Sequence, residues 1–414
     1  MELANGGVTY PRGFSAAGVA CGIKRSGRPD VALLLSDRDA LGAGVFTTNS
    51  VKAAPVLLGA QRLASHPGAL RGVLTVSGVA NALTGPEGLE DNRSVLAAAE
   101  TQFGLPAESL LPACTGVIGP RIPVPRVLAG LPRLHRELAR GKEADRHAAH
   151  AILTTDTRAK MVAVRGRMAD GTLVRVGGMA KGSGMIAPRL AALHATTLAY
   201  LTTDARVRPG ALARILGPAA DRTFNMVTVD GDTSTNDTIY LLANGAAGGA
   251  YADDDPEFRA MISFALERLA RAVARDGEGA TKLLTVSVSG ARTVSEARLA
   301  ARAVAGSTLV KAAVFGADPN VGRIACALGY SGATVDPARM DVGLRTRRAL
   351  VPLLVDGRPA PGLENGQGRK VRELLLRLDE IPLEVRLHAG RASAVAWGCD
   401  LSYSYVQINA AYHT

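Results

Sequence analysis

Aromatic side chains are scarce in this chain, at 4% of its residues with a single Trp. Sequence-tolerant binding of single-stranded nucleic acid rests on aromatic stacking platforms, so the composition argues against that class. Cysteine is rarer still. Cys21, Cys114, Cys326 and Cys399 form no CxxC pair, and no histidine cluster stands at metal-ligand spacing, which argues against a zinc site or a disulfide framework. Free buried thiols in a reducing cytoplasm are expected, with no metal. No window holds 18 unbroken apolar residues, so no membrane-spanning helix is expected. The first residues lack a charged segment followed by an apolar stretch, the mark of a secretion signal. The sequence therefore reads as cytoplasmic.

What is abundant is glycine, at 46 residues, and positive charge, at a formal net +11. A basic protein can bind nucleic acid or a membrane surface. Here most Arg and Lys residues stand singly among acidic ones, and the densest cluster, Arg345-Thr346-Arg347-Arg348, is too short for a nucleic-acid arm. Neither nucleic acid nor membrane is an expected partner. A positive field does suit substrates that carry carboxylates. At 414 residues the chain is long enough for two or three lobes.

Short apolar stretches broken by Gly and Pro predict strands over residues 31–35, 44–48, 55–58 and 72–76. Helical spacing appears over 89–101 and again over 134–153. A strand over 172–176 leads into a glycine-rich stretch at 177–184. The clearest helix is 256–275, with Asp255 as N-cap, Pro256 at the first helical position and Gly277 as a stop. A strand over 282–289 follows, and Thr293 with Glu296 forms a capping-box pattern before a helix over 297–304. Strands are predicted over 349–355, 383–387 and 403–408. Many short strands mixed with helices predict an α+β fold, with sheets covered by helices. No repeat at a solenoid period is present.

Hydrolase-elbow, zinc-protease, phosphate-loop and kinase signatures are absent. The run from Gly182 to Ala187 matches a dinucleotide-binding fingerprint, with Asp204 about twenty residues on. Pro188 follows directly, where the receiving helix should be running, and proline there removes a donor and clashes with the preceding turn. Dinucleotide binding is not expected. Two other stretches carry polar groups on glycine-rich backbone. Thr115-Gly116 can aim a hydroxyl and a backbone N–H at one point, as an oxyanion hole requires, or form a tight turn between strands. Glu278, between Gly277 and Gly279, has little bulk beside it and can approach an amine closely; a plain helix stop explains the glycines equally.

Several stretches occur together in order: GFSAAGVA at 13–20, GVFTTN at 44–49, VKAAP at 51–55, TGVIG at 115–119, TTDT at 154–157, AKGSGMI at 180–186, TTDA at 202–205, VDGDTSTND at 229–237, DGEGATK at 276–282, DPN at 318–320, GRI at 322–324, and a C-terminus with Tyr405-Val406, Ile408-Asn409-Ala410 and Tyr412-His413-Thr414. With these the chain resembles the ornithine acetyltransferase family, the glutamate N-acetyltransferases of the bifunctional arginine-biosynthesis type, over nearly its whole length. The resemblance implies a layered αββα-like sandwich with a smaller C-terminal α/β lobe. It also implies self-cleavage at Ala195–Thr196, giving an N-terminal fragment 1–195 and a C-terminal fragment 196–414 that intertwine in one fold, two copies of each forming a heterotetramer.

The implied chemistry is ping-pong transfer of acetyl from N-acetylornithine to glutamate. Threonine's hydroxyl is a poor nucleophile alone. Freed as an N-terminus, Thr196 carries its own α-amine, with an unperturbed pKa near ~8, as a base. By the same resemblance Thr115 and Gly116 hold the oxyanion, and Thr155, Lys181, Thr196, Glu278, Asn409 and Thr414 bind substrate. Lys181 suits an α-carboxylate as a point charge, and Glu278 suits ornithine's amino group. No cofactor is implied; whether acetyl-CoA is a second acetyl donor stays open. A related self-processing amidase or aminopeptidase, using Thr196 with water as acceptor, stays open as well.

The chain departs from the family pattern in places. Residues 189–194 stand where two residues are usual, an excess of four before the cleaved bond, and His194 has no assigned role. Val79 replaces an Asn, Val321 a Trp, and Ser404, Gln407 and Ala411 replace Asp, Arg and Asp. These changes bear on packing and polar networks near the site.

Overall fold

The computed structural model describes residues 1–188, 190, 191, 197–363 and 366–411. The chain divides into two units, one built from residues 1–225 and 233–269, the other from 226–232 and 270–413. Helix packing and strand pairing, not sequence halves, set this division.

The first unit holds β1 (Glu2–Ala4), β2 (Phe14–Val19), β3 (Val31–Thr47), α1 (Ala54–Ser65), β4 (Leu70–Val79), α2 (Gly85–Gln102), β5 (Leu110–Val117), α3 (Val124–Arg136), α4 (Lys142–Ala151), β6 (Lys160–Arg167), β7 (Leu173–Lys181), β8 (Leu190–Ala191), β9 (Leu198–Thr203), α5 (Ala211–Arg222) and β10 (Thr238–Ala243). Helix α6 (Pro256–Arg275) belongs to it through Leu269. The strands pair in the order β1-β6-β7-β9-β10-β3-β4-β5, with β2 and β8 also on β3. Strand β3 makes this possible. Its first part pairs with β2 and β4, its last part with β10, and the register shifts between Leu35 and Ala40. One long strand thus serves two sheet layers.

The layers meet through apolar side chains. Leu34, Val73 and Leu111 of one layer pack in a single buried cluster with Phe46, Met179, Leu198, Tyr200 and Tyr240 of the other. The opposite face of β3, β4 and β5 packs Leu33, Leu35, Leu74 and Val76 against Val95, Leu96 and Ala99 of α2 and Val127, Leu131 and Leu134 of α3. A strand buried on both faces needs a continuous apolar run, which is why residues 31–35 read VALLL. On the other layer Leu269 of α6 lies against Gly178 of β7, and Met261 against Gly166 of β6. Helix, sheet, sheet, helix is the α+β layering expected. Three aromatics meet between the sheets: Tyr200 and Tyr240 stack at 6.2 Å, and Phe46 meets Tyr240 edge-on at 5.7 Å.

The second unit holds the end of α6 and β11 (Leu283–Ala291), α7 (Val294–Gly306), α8 (Thr308–Phe315), α9 (Val321–Gly329), β12 (Asp341–Arg345), β13 (Leu350–Val355), β14 (Arg358–Pro359), α10 (Gly366–Arg377), β15 (Glu380–Arg386), β16 (Ala392–Cys399) and α11 (Tyr403–Ala411). Its six strands run β14-β13-β12-β15-β11-β16, with β11 and β15 parallel. Leu284, Val286 and Val288 of β11 are buried while Thr285, Ser287 and Ser289 are more open, the alternation of a one-sided sheet. Thr293 caps α7 by accepting from the Glu296 amide, as the capping pattern predicts. Asp255 likewise accepts from the Glu257 amide at 2.8 Å at the start of α6.

Several expected elements are corrected. Residues 55–58 are not a strand but the first turn of α1, where Pro55 loses nothing because that N–H has no helical partner. A short apolar run does not distinguish a strand from a buried helix. Residues 134–153 are not one helix. Gly141, at φ 102°, breaks the run, and Ala139 between α3 and α4 exchanges backbone hydrogen bonds with Ala16 of β2. Residues 403–408 are not a strand but most of α11, where Tyr403 packs edge-on against Phe315; β propensity yields to such context. All four cysteines are free, but only Cys114 and Cys399 are buried, and Cys326 is exposed on α9.

The inter-sheet core generates one prediction. The Tyr200 hydroxyl pairs with Thr75 Oγ1 at 2.8 Å, fully buried between the layers. Tyr200→Phe strands the threonine hydroxyl and is expected to destabilise the protein by about 1–3 kcal/mol, read from the midpoint of urea unfolding.

Candidate active site

Thr115 and Gly116 lie at the end of β5, in strand rather than in a tight turn. β5 runs parallel to β4, pairing Ser77 with Thr115 and Gly78 with Gly116, and the register slips at Val79, which faces both Thr115 and Val117. Gly116 has φ 131°, and a Cβ there would meet the Gly78 carbonyl group and the Val79 amide, the latter at 2.7 Å. Only glycine fits a backbone turned this way and pressed this close. Val79, a departure from the family pattern, sits at this irregularity. Asn236 fastens the same corner, its Nδ2 donating to the Ala80 carbonyl at 2.6 Å and to the Cys114 carbonyl at 2.9 Å.

Lys181 ends β7. Its Nζ donates to Thr115 Oγ1 at 3.3 Å and lies 4.0 Å from Asp156 Oδ2. Asp156 is the hub of the region. It accepts from Lys160 Nζ at 2.6 Å, from the Gly182 amide at 2.7 Å and from the Thr154 amide at 3.1 Å. The Asp156 and Lys160 side chains are wholly shielded from solvent. Burial pushes the Asp156 carboxyl up, but Lys181 and Lys160, with their hydrogen bonds, pull it down further, to about 2. Thr155, half-buried, stands between two residues fixed in this way. No helix follows β7 directly: residues 182–188 are bend and irregular backbone, with Ile186 in an isolated bridge to Thr233, unlike the helix a dinucleotide fingerprint requires.

Ala195, Thr196 and Thr414 lie outside the described residues. The described chain resumes at Thr197, whose carbonyl accepts from the Thr238 amide at 2.8 Å. Leu198 then opens β9 opposite Lys181. Thr197 is buried, and among the described residues its Oγ1 finds no hydrogen-bond partner.

In the second unit, Glu278 follows α6 and is buried. Asn409 Nδ2, on α11, donates to Glu278 Oε2 at 2.9 Å. The flanking glycines have a reason the sequence does not reveal. They admit the chain's own atoms: a Cβ on Gly279, at φ 68°, would meet the Tyr405 amide nitrogen at 2.5 Å, and one on Gly277 would meet Cys399 Sγ at 2.8 Å. Asp400 ties the loop down, accepting from the Thr281 and Lys282 amides at 2.8 and 2.9 Å. The Tyr405 phenol is pushed up to about 12 by burial and by the negative charges of Asp230, Asp232 and Glu278. That cluster of carboxylates suits a cationic group.

The structure thus joins Thr115, Gly116 and Lys181 in the first unit, and Glu278 with Asn409 in the second. Sequence reading missed Asp156, Lys160 and Asn236 as organisers. Asp156 and Asn236 stand inside quoted motifs, but a buried carboxylate is recognised by its partners, which are remote in sequence. A cavity of about 450 Å³ over the second unit's sheet, lined by Arg345 and Glu384, contains none of the expected residues. Among the described residues no group of three His, Cys, Asp or Glu is placed to hold a metal, and no helix is long and apolar enough to cross a membrane.

Layered sheets that bring a hydroxyl, an ammonium and a sterically required glycine to adjoining strand ends define an α+β enzyme. The family follows from comparison: the sequence model of the ArgJ family matches residues 15–414, and the chain belongs to that family. It is 47% identical over 420 residues to the arginine biosynthesis bifunctional protein ArgJ of Symbiobacterium thermophilum, covering 100% of both chains. It is 42% identical over 414 residues to the glutamate N-acetyltransferase of Methanocaldococcus jannaschii, again covering 100% of both. A third relative, the bifunctional ArgJ protein of Synechococcus sp., is 44% identical over 421 residues, covering 99% of this chain and 98% of its own. The motif resemblance and the family agree.

Two predictions follow from the geometry. Gly116→Ala forces a Cβ into the β4 backbone and is expected to cost about 1–3 kcal/mol in strain alone, with loss of activity, read by thermal unfolding and assay. Asp156 is held below its ordinary value of 3.8 when folded, so the stability it contributes is present above that value and lost as pH falls towards 2. Thermal unfolding across this window is expected to lose stability less steeply in Asp156→Asn/Lys160→Met than in the parent.

Proposed function

We propose that this chain is a self-processing acetyltransferase that moves the acetyl group of N2-acetyl-L-ornithine to L-glutamate in the cytoplasm. Cleavage of the Ala195–Thr196 bond releases the Thr196 α-amine, which takes the proton from the Thr196 hydroxyl as Oγ attacks the acetyl carbonyl. The Thr115 hydroxyl and the Gly116 N–H receive the oxyanion. Ornithine leaves with a proton, and acetyl-Thr196 remains as an ester. Glutamate's amine then attacks that ester, giving N-acetylglutamate and restoring Thr196. Thr155, Lys181, Glu278, Asn409 and Thr414 bind substrate, Lys181 meeting a carboxylate and Glu278 an ammonium. The fragments 1–195 and 196–414 remain together, two of each in the assembly.

The observation that supports this reading most is the approach of Lys181 Nζ to Thr115 Oγ1, 3.3 Å apart, beside a glycine that no other residue can replace without strain. Full-length relatives named as glutamate N-acetyltransferase and bifunctional ArgJ protein support it independently.

Denaturing mass spectrometry tests the processing step. Two species, ending at Ala195 and beginning at Thr196, are expected, and Thr196→Ala is expected to remain whole and inactive. An intact chain that transfers acetyl overturns the mechanism. Supplying N-acetylornithine with and without glutamate tests the acceptor: ornithine release that ignores glutamate replaces transfer with hydrolysis. Acetyl-CoA in place of N-acetylornithine tests for a second donor.

A further inference from the structure

The Asp156 hub has no assigned role, yet three of the groups it faces, the Thr154 and Gly182 amides and the Lys181 ammonium, lead to the proposed site. Through Thr154 it fixes the turn that carries Thr155. Through the Gly182 amide it fixes the backbone just after Lys181. Its Oδ2 lies 4.0 Å from Lys181 Nζ, which in turn reaches Thr115 Oγ1 at 3.3 Å. A lysine on a four-carbon stem has several rotamers, and a fixed counter-charge selects among them. Asp156 cannot turn away, because Lys160 Nζ occupies Oδ1 at 2.6 Å in a place closed to water.

We infer that Asp156, held by Lys160, is a positioning residue: it sets the Lys181 ammonium beside Thr115 and fixes the Gly182 amide, so that a carboxylate-bearing amino-acid substrate is received in one orientation. A purely structural ion pair would serve only to satisfy its own charges. This inference rests on the proposed acetyl transfer.

The test is a mutant cycle on the processed enzyme. Neutralising Asp156 alone takes from the buried Lys160 the counter-charge 2.6 Å from its Nζ, so Asp156→Asn is combined with Lys160→Met, a near-isosteric neutral pair. Steady-state transfer from N-acetylornithine to glutamate is measured for the parent, for this pair, for Lys181→Ala and for all three changes together. Rates are referred to the cleaved fraction found by mass spectrometry. The expected result is a KM for N-acetylornithine raised about tenfold or more in the neutral pair, with kcat within about threefold. In the Lys181→Ala background the pair is expected to raise KM clearly less than it does alone, because the larger part of its effect passes through Lys181. A neutral pair with parental KM, or KM effects that multiply in the combined variant, overturns the positioning role. Should the neutral pair not accumulate as folded protein, Asp156→Glu, which keeps the charge that Lys160 faces but displaces it from Lys181 and the Gly182 amide, carries the same comparison. A parent without transfer activity overturns the proposed function and this inference with it; an active parent with unaffected KM overturns this inference alone.

Discussion

A carboxylate sealed from water organises the first unit's polar centre. Asp156 is too costly to bury alone, so the fold surrounds it with Lys160, Lys181 and two backbone amides. Those partners come from two stretches: Thr154 and Lys160 flank Asp156 in its own segment, and Lys181 and Gly182 stand at the end of β7. Satisfying one buried charge therefore ties two remote pieces of the chain together. The proposed substrate-binding residues Thr155 and Lys181 are among or beside those pieces, so the requirement that stabilises the ion also sets the geometry in which chemistry is proposed.

Glycine does the complementary work. In β5 a residue without a Cβ lets two parallel strands close on each other at the register slip, and that closeness turns the Gly116 backbone beside the Thr115 hydroxyl. In the second unit Gly279 lets the start of α11 press onto the loop that carries Glu278, within reach of Asn409. In both units an irregular backbone is held by close contact with other main chain. Such conformations persist only where the surroundings over-determine them. Here Asn236 and Asp400 supply the hydrogen bonds that do so.

Much of the scaffold was legible. The VALLL run of β3 announced a strand, and Asp255, Pro256 and Thr293 announced helix starts that the structure contains. Short runs of strand-like side chains misled at residues 55–58 and 403–408, because a short apolar run does not by itself distinguish a strand from a helix. The stop at Gly141 was visible as a glycine, but its cause was not: Ala139 is drawn into pairing with Ala16, more than a hundred residues earlier.

The ordered motifs in the sequence were enough to identify the family and to name Thr115, Gly116, Lys181, Glu278 and Asn409, because residue type and order survive in a linear string. Tertiary structure alone decided how those residues are held. That Lys181 meets Thr115, that Asp156 is closed to water among lysines, and that Gly279 is required by the approach of Tyr405 all depend on distances between remote segments. A sequence records which groups are present; the energy of a buried charge or of a crowded backbone depends on what folding places around them.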